Sequence, residues 1–557
     1  MRRIKIIIVP MLIALIVLMN VPHTFSYDKS TIPYNIKIGL FFDKTAKSTL
    51  LLESQSSFKV GVFQQDEFIN LFDLDENKIL LRKDKFYIGQ GLSFTEYTGA
   101  INEQVNISNI EGPYHIQVGQ SFTSYSEAYN FLNSLNIGSV NSYLSYEKEW
   151  KVFSGLYLTE SSANEEANKI NANYGYETKV IQPSTTRVQV INEKGNTIFM
   201  YDSSDELYFT GKDYRGNTPI VNVEGNNYRG AITAKRLSNS DMTIINKLPL
   251  EEYLYGVVPG EMPASWPIEA LKAQAVAARG FALTNFNKYK QFDFNLCSTT
   301  NSQVYKGYTG EHPNTNMAVD ETRSKVITYN GTLVEPYYHS NSGGHTEDSE
   351  NIWSSQLSYI RGVEDKFSLD APNSTWSVSF TKDEIKNRLA NHNIFIGDIL
   401  DMKITSISDN GRVLSLVVYG TDGQEIMEKQ KSRTVLGLKS SWFSINSNNS
   451  TNNESQLMVI NGTTSKEESI NLTSKHVITA DGIYEINNPQ RSSIFNGKEY
   501  RSIDEEVIEN ISDTFVLYGK GFGHGLGMSQ YGAKKMAELN YKYDEILTHY
   551  YTGVKVE

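Results

Sequence analysis

One stretch, residues 248–283, constrains the fold more than any other part of the chain. Its sequence is LPLEEYLYGVVPGEMPASWPIEALKAQAVAARGFAL. After Pro267 it is rich in alanine and has only Gly280 as a helix breaker, which predicts a helix to about residue 285 with the proline at position N1 and Glu269 at N3. The residues expected to form its buried stripe are Ile268, Leu271, Ala275, Ala278 and Ala282.

A proline-rich segment precedes this helix and contains the strongest candidate for a catalytic acid. Three prolines between residues 257 and 267 predict a stiff loop with Glu261 in its middle. The neighbouring valines, methionine and tryptophan are apolar, and desolvation by such neighbours raises the pKa of a carboxyl group toward the range useful for a general acid. The same pattern also fits a surface carboxylate beside a helix that only fills the core.

Two basic residues of the helix are candidates for substrate binding. Lys272 and Arg279 are seven residues apart, so both are expected to project from one face of the helix, two turns apart. They could bind a carboxylate or an acetamido oxygen of a substrate. Because a cation close to Glu261 would lower the pKa of its carboxyl group, we expect both residues near the substrate rather than near the acid.

The first 26 residues have the pattern of a secretion signal. A basic start precedes an apolar run over residues 6–19, and Thr24 and Ser26 offer small residues for cleavage. The apolar run is short for a membrane span. The alternative is an uncleaved N-terminal anchor. In either case we expect the protein to act outside the cytoplasmic membrane, secreted or in a cell wall.

Composition narrows the class of protein further. At 557 residues the chain is too long for one domain. It has 52 basic and 64 acidic residues and a net charge of −12, which does not favour binding to nucleic acid. Its single cysteine, Cys297, excludes an intramolecular disulfide and a zinc module built on several cysteines.

The pattern along the chain predicts a multidomain α+β protein. Short alternating segments indicate a β-rich module near the N-terminus, and the next module has the order βαββαβ, a split-βαβ arrangement. A mixed main domain follows. The expected boundaries are 1–26 for the signal peptide, 34–107 for the β-rich module, 110–185 for the split-βαβ module, 186–446 for the main domain, 447–511 for a linker and insertion, and 512–557 for the C-terminal part of the main domain.

The opening segment of the split-βαβ module gives a separate indication of its function. The pattern predicts helices over residues 124–135 and 161–173. The segment YHIQVGQSFTSYSEAYNFLNSL resembles SPOR domains, and this resemblance implies binding to peptidoglycan glycan strands stripped of their peptides. The alternative is a structural ferredoxin-like module without a ligand.

The motif SNSGGHT, residues 340–346, offers further candidates for a sugar-binding cleft. Its hydroxyl side chains belong to Ser340, Ser342 and Thr346, and its backbone N–H groups could also face a sugar. The alternative is a tight turn that needs two glycines.

A second glycine-containing motif lies near the C-terminus. The alternating glycines of residues 519–527 match neither a dinucleotide-binding loop nor a phosphate-binding loop. Such glycines allow a backbone to approach a ligand or another loop closely. His524 and Gln530 are candidates for a cleft there, with a structural role as the alternative.

Five motifs in chain order resemble the SpoIID/LytB family, which includes stage II sporulation protein D and the amidase enhancers. They are residues 248–283, CSTTNSQVYKG at 297–307, PYYHSNSGGHTEDSENIW at 336–353, SRTVLGLKSSWF at 432–443 and GKGFGHGLGMSQYGAKKMA at 519–537. The resemblance implies lytic transglycosylation of peptidoglycan between N-acetylmuramic acid and N-acetylglucosamine, with Glu261 as the catalytic acid and Lys272 and Arg279 linked to the same function. One carboxyl group is enough for this chemistry, because the C6 hydroxyl of the muramic acid attacks its own C1.

The family also leaves a non-catalytic alternative open. This is an amidase enhancer, which binds the wall and stimulates a separate N-acetylmuramoyl-L-alanine amidase. Glu261, Lys272 and Arg279 favour the enzyme. The expected partners are glycan strands and, for the alternative, a cell-wall amidase. Membrane contact is expected only through an uncleaved signal anchor.

The resemblance bears on metal binding as well. Some members of the family carry a zinc site with cysteines near the Q-V-Y motif. Here Asn301 and Ser302 stand where a histidine and a second cysteine would be, beside Cys297. We therefore expect no metal and no cofactor.

Overall fold

Two compact units make up the chain. The first comprises the residues up to 336 together with 537–548 and 553–557, and the second comprises 337–536 and 549–552. The computed structural model of the protein describes residues 27–99, 110–213, 215–237, 240–447 and 514–557, and six strands between residues 456 and 502. The predicted signal at 1–26 lies outside the described residues.

Helices and strands both occur in each unit, which confirms the predicted α+β class. Within the described ranges, no helix is both long and apolar enough to cross a membrane. The helices are α1 (Tyr125–Ser134), α2 (Glu160–Tyr174), α3 (Leu250–Glu261), α4 (Ile268–Thr284), α5 (Pro313–Glu321), α6 (Ser349–Ile352), α7 (Lys382–Ala390), α8 (Gln430–Leu436), α9 (Gln530–Glu538) and α10 (Tyr543–Tyr550).

The strands are numbered in chain order through both units. Those up to residue 260 are β1 (Asn35–Phe41), β2 (Thr49–Ser54), β3 (Phe58–Gln64), β4 (Glu67–Leu74), β5 (Lys78–Lys83), β6 (Tyr87–Gln90), β7 (Ser93–Glu96), β8 (Ile110–Glu111), β9 (Tyr114–Val118), β10 (Ser142–Glu147), β11 (Glu149–Tyr157), β12 (Thr178–Ile181), β13 (Arg187–Ile191), β14 (Thr197–Asp202), β15 (Tyr208–Gly211), β16 (Val221–Val223), β17 (Asn226–Tyr228), β18 (Ala231–Arg236) and β19 (Met242–Pro249). The later ones are β20 (Leu296–Cys297), β21 (Ile327–Tyr329), β22 (Thr332–Leu333), β23 (Tyr338–His339), β24 (Thr375–Thr381), β25 (Ile399–Ile407), β26 (Val413–Gly420), β27 (Gly423–Glu428), β28 (Phe443–Ser447), β29 (Gln456–Ile460), β30 (Glu467–Asn471), β31 (His476–Thr479), β32 (Gly482–Glu485), β33 (Ser493–Phe495), β34 (Tyr500–Ser502), β35 (Thr514–Lys520), β36 (Met528–Ser529) and β37 (Lys555–Val556).

A seven-stranded sheet of the first unit contains the strand that directly precedes α3, the helix that carries Glu261. Its strand order is β20-β1-β19-β18-β15-β3-β4. β19 runs antiparallel to β1, with Asn35 opposite Pro249, and α3 begins at the next residue, Leu250. The N-terminal strand therefore helps to fix the start of α3.

A ten-stranded sheet of the same unit has the order β12-β9-β11-β10-β14-β13-β5-β2-β16-β17. It contains the predicted βαββαβ order as β9, α1, β10, β11, α2 and β12. Both helices begin at a side-chain cap, Ser124 for α1 and Thr159 for α2. The second ends at Gly175, whose φ of 74° is the left-handed conformation that glycine adopts at helix ends.

The boundaries predicted between the first three modules stay a prediction, and one sheet crosses them. Strands of the β-rich module (β2, β5), of the split-βαβ module (β9–β12) and of the main domain (β13, β14) lie side by side in this one sheet. β10, an edge strand of the split-βαβ part, pairs with β14. Pairing covers edges that would otherwise stay open, so these modules share a fold rather than fold separately. The predicted main domain, in turn, is divided at residue 336.

The second unit has small sheets around its own core. β35 lies between β24 and β28, and β25, β26 and β27 form a meander. Trp376, Phe380, Leu416 and Leu517 are among the buried side chains of this core. β35 comes from the predicted C-terminal segment, so that segment supplies the central strand of a sheet.

A buried carboxylate joins three strands of the ten-stranded sheet. Asp84, which follows β5, accepts hydrogen bonds from Arg187 (2.8 Å) and Gln189 (2.8 Å) of β13 and contacts His115 of β9 at 3.1 Å. Burial opposes its ionisation, but His115 and Arg187 outweigh burial and lower the pKa of Asp84 to about 2. The carboxylate is therefore charged in the folded protein at ordinary pH.

We expect Asp84→Ala to lower the free energy of unfolding by about 3–5 kcal/mol, because it leaves buried cationic and polar partners without their acceptor. Urea unfolding at pH 7 measures this. In the native protein the contribution of Asp84 is complete above the unfolded pKa near 3.8 and is lost as the pH falls toward 2. The exposed Asp409→Ala is the matched control, and equal losses in the two variants would contradict the account.

Candidate active site

Glu261 is the last residue of α3, at the end of the helix rather than in the middle of a loop. The prediction of a loop was wrong because Pro259 lies inside the helix, two residues before its last residue. There the proline removes a single intrahelical hydrogen bond and the helix continues past it. The Glu261 side chain is half-buried, so it is held by protein while part of it stays accessible.

The Q-V-Y motif packs directly against the face of α3 that ends in Glu261. The backbone N–H of Val304 donates to Oε1 of Glu261 at 3.1 Å. Two glycines of α3 make this approach possible. A Cβ at Gly260 would lie 2.7 Å from the carbonyl oxygen of Val304, and one at Gly256 would lie 2.6 Å from the Tyr305 ring. Any larger residue at either position would push the motif away from Glu261.

The residues on either side of Val304 fasten the motif from both directions. The buried Gln303 accepts a hydrogen bond from the Tyr253 hydroxyl at 3.2 Å and donates to the carbonyl of Ala278 at 3.3 Å. The hydroxyl of Tyr305 donates to Asn246 at 2.9 Å. The donor of Val304 is therefore fixed in direction before any substrate arrives. The sequence indicates this motif only through the family resemblance, and no local pattern predicts that its backbone donates to Glu261.

Lys272 forms ion pairs with two carboxylates of its own unit. Its Nζ lies 2.9 Å from Glu269 one turn earlier in α4 and 2.6 Å from Glu321 at the end of α5. Burial acts to lower the pKa of Lys272, but the hydrogen bonds that its ammonium donates to Glu321 and Glu269 raise the pKa overall. Its charge thus fastens α4 to α5, and its contact with substrate stays a prediction.

Arg279 is completely buried and its guanidinium is bonded on all sides. Nε and Nη2 donate to the two oxygens of Glu251 at 3.0 and 2.6 Å, and Nη1 donates to the carbonyl of Lys325 at 3.0 Å. Glu251 lies in the first turn of α3, ten residues or about 15 Å along the helix from Glu261. In this structure Arg279 braces the start of α3, and its contact with the substrate stays a prediction.

The helix α4 is buried around almost its whole circumference instead of along one stripe. Leu271, Ala275, Ala278 and Ala282 are fully buried as predicted, and so are other alanines on the remaining faces, whereas Ile268 is only half-buried. A helix that is apolar on every side lies in the middle of a core. Pro267 precedes the helix as its N-cap and not as N1.

The five other predicted site residues belong to the second unit. Ser342 is buried, donates to Asp365 at 2.7 Å and contacts Ser368 at 2.7 Å. The Thr346 hydroxyl, also buried, accepts from the N–H of Val363 at 2.8 Å. Both side chains are hydrogen-bonded beside the turn at Gly343 and Gly344, and their place in a sugar-binding cleft stays a prediction. Ser340 is half-buried and stays a prediction.

His524 lies in an aromatic cluster of the second unit. Its ring centroid is 5.4 Å from His339, 5.5 Å from Trp353 and 6.2 Å from Tyr337. The N–H of Leu526 donates to its Nδ1 at 3.0 Å. Burial and then the charges of Arg433 and Arg412 lower the pKa of His524 to about 3, so the ring is a neutral donor at Nε2 and no general acid at neutral pH. Gln530, at the start of α9, is buried and its predicted role is not tested.

Metal ligands do not cluster in the part of the chain that the structure describes: no group of three or more His, Cys, Asp or Glu side chains is arranged to hold an ion there. Cys297 is buried, with its sulfur 3.3 Å from the hydroxyl of Thr299 and 3.4 Å from that of Ser302.

Comparison with known proteins matches the region that holds this site. Residues 238–329 match the family described as stage II sporulation protein, SpoIID. An uncharacterised protein of Brachyspira hyodysenteriae is 26% identical over 396 residues, 69% of this chain and 86% of the relative. The amidase enhancer of Bacillus subtilis is 32% identical over 325 residues, 54% of this chain and 39% of the enhancer. Stage II sporulation protein D of Bacillus subtilis is 28% identical over 329 residues, 56% of this chain and 75% of that protein.

The chain therefore carries a SpoIID domain, and the relationship to the SpoIID/LytB family predicted from its motifs is confirmed. The matched residues include α3, α4 and α5, and with them Glu261, the Q-V-Y motif and Arg279. The resemblance of residues 110–185 to SPOR domains stays a prediction.

The role assigned to Arg279 predicts a particular pattern in a double-mutant cycle. Arg279→Met and Glu251→Leu should each lower the free energy of unfolding by about 3–5 kcal/mol, because each leaves a buried charge unpaired, and the double variant should regain most of it. Urea unfolding measures the cycle. A double variant that is stable but binds glycan strands many-fold more weakly than the native chain would show instead that Arg279 contacts the substrate.

The protonation of His524 can be measured directly. With its pKa near 3, the ring should stay neutral with its proton on Nε2 as the pH rises from 5 to 8. Nitrogen NMR of histidine-labelled protein, assigned by comparison with His524→Gln, reports the tautomer. A titration step of this residue near pH 6.5 would contradict the geometry.

Proposed function

We propose that the protein is an extracytoplasmic lytic transglycosylase of peptidoglycan, with Glu261 as its single acid and base. The observation that carries the proposal is the arrangement of this carboxyl group. It ends a helix braced by a buried Arg279–Glu251 pair and accepts a fixed N–H from Val304. The relatives named for stage II sporulation and for amidase enhancement support a substrate in the cell wall.

The reaction needs two proton transfers at one site. In the first, Glu261 donates its proton to the glycosidic oxygen as the bond to C1 of N-acetylmuramic acid breaks, which releases the 4-hydroxyl of N-acetylglucosamine. In the second, the carboxylate takes the proton of the C6 hydroxyl as that oxygen attacks C1. A 1,6-anhydro ring forms, no water is consumed, and Glu261 ends protonated as it began.

The other acidic residues of α3 support a mechanism with one carboxyl group. Glu251 is bonded to Arg279 and lies about 15 Å from Glu261 along the helix. Glu252, one residue later, is about as far away, and burial raises its pKa despite the opposing charge of Arg229. Hydrolysis by two carboxyl groups requires them roughly 5–9.5 Å apart across the sugar, and neither residue meets that spacing.

The split-βαβ part supplies a reason for activity on stripped glycan. Its fold order is the one predicted from sequence, and its resemblance to SPOR domains suggests an accessory role in holding peptide-free strands. We propose that residues 110–185 bind such strands.

A second function has a specific observation in its favour. The relative with 32% identity is named an amidase enhancer, so the chain could bind the wall and stimulate a separate amidase without cutting glycan. In that case Glu261 would have no part in product formation.

Digestion of peptide-stripped glycan strands separates the two functions. The purified native chain should yield products with 1,6-anhydro ends in mass spectrometry, and Glu261→Gln should lower their rate of formation by about 10²–10⁴-fold, because the amide cannot transfer the proton. The exposed Glu428→Gln, which lies outside every proposed binding region, is the matched control and should keep native activity.

Two outcomes would overturn the proposal. Products formed equally by the native chain and by Glu261→Gln would exclude Glu261 as the acid. A complete lack of products from folded native protein, together with a faster reaction of an added amidase, would establish the enhancer instead.

A further inference from the structure

A cavity of about 250 Å³ lies in the first unit between the strand pair β1–β19 and the segment after α4. Lys37, Lys247 and Lys290 supply its cationic lining, Asp66 and Asp293 its acidic lining, with amide and phenyl groups of residues 286–295. The volume is below the roughly 300–1,000 Å³ of sites for drug-sized ligands. It therefore suits one sugar ring better than an oligosaccharide.

Two lysines face each other across the strands that form one wall of this cavity. Lys37 of β1 is directly opposite Lys247 of β19 in the antiparallel register. Like charges in directly opposed positions destabilise a sheet. The repulsion between Lys37 and Lys247 lowers the stability of the sheet, and an apolar residue at either position would remove this repulsion.

The two lysines differ in how their charges are balanced. Lys37 lies 3.3 Å from Glu206 and 3.4 Å from Asp293. Lys247 has no carboxylate within 4.0 Å in the described part of the chain; its Nζ lies 3.9 Å from the ring centroid of Phe63 instead. Burial and then Lys37 lower the pKa of Lys247 despite the more distant Glu206, Asp66 and Asp293.

The carboxylates that line the cavity are already engaged. Asp293 is paired with Lys37 and, at 2.5 Å, with Lys235. Asp66 accepts a hydrogen bond from the side-chain amide of Asn35 at 3.2 Å. Lys290 and Lys247 both lack an ion pair with a described carboxylate, but Lys290 is exposed to solvent whereas Lys247 is half-buried. An anion placed in the cavity would provide the counter-charge that Lys247 lacks.

We propose that this cavity binds a single saccharide unit that carries a carboxylate, with Lys247 as the group that recognises the charge. The amide and phenyl side chains of the wall suit the polar rim and the apolar face of a sugar ring. The choice of a lactyl-bearing amino sugar as the ligand rests on the proposed function, whereas the recognition of a carboxylate rests on Lys37 and Lys247 alone.

The test uses the full chain with Glu261→Gln, so that binding is measured without turnover and independently of the catalytic proposal. Titration calorimetry or ligand-observed NMR with N-acetylmuramic acid should show saturable binding, and N-acetylglucosamine, which lacks the lactyl carboxylate, should bind at least tenfold more weakly. Lys247→Met in this background should lose at least tenfold in affinity without a lower midpoint of thermal unfolding, because it removes the opposed charge. The exposed Lys194→Met is the matched control.

Three results would overturn the inference. They are the absence of saturable binding of N-acetylmuramic acid, equal binding of the two sugars, and unchanged affinity in Lys247→Met. In the last case the cation–π contact with Phe63 would be the whole role of Lys247.

Discussion

The buried pair between Arg279 and Glu251 is the interaction on which the candidate site depends. It joins the first turn of α3 to the middle of α4, and further bonds from the same guanidinium reach the carbonyls of Lys325 and Val319. A bidentate pair fixes direction as well as distance. The helix α3 runs from Leu250 to Glu261, so the pair at its first turn and the carboxyl group at its last residue belong to one element.

The Q-V-Y motif holds the Glu261 end of α3, as the buried pair holds its first turn. Gly256 and Gly260 allow it to pack against α3, and Gln303 and Tyr305 hold the Val304 donor toward Glu261. A site organised in this way needs little rearrangement when a transition state forms. The charges of Lys272 and Arg279 are paired within this scaffold, whereas Lys247 lies beside the Phe63 ring.

The sequence predicts local structure well and long-range partners poorly. Alanine content, caps and periodicity are local signals, and they located α1, α2 and α4 to within a few residues. The burial of Arg279 depends on Glu251, 28 residues earlier, and no local pattern indicates such a pair, since arginine is usually exposed. The ten-stranded sheet was not predicted for the same reason. The pairing of β10 with β14 joins segments that are far apart along the chain, and turn residues between them suggest separate modules. The motif identifies Glu261, but the three nearby prolines favour a loop and so do not indicate that Glu261 ends a helix with Pro259 inside it.

The most direct test of the central claim, that one carboxyl group at Glu261 transfers glycan to an internal hydroxyl, is digestion of peptide-stripped glycan in oxygen-18 water. The mechanism predicts 1,6-anhydro ends that contain no heavy oxygen, since the attacking oxygen comes from C6 of the same sugar. New reducing ends of N-acetylmuramic acid, one for each bond cleaved and formed in place of 1,6-anhydro ends, would show that water is the nucleophile and would contradict the account.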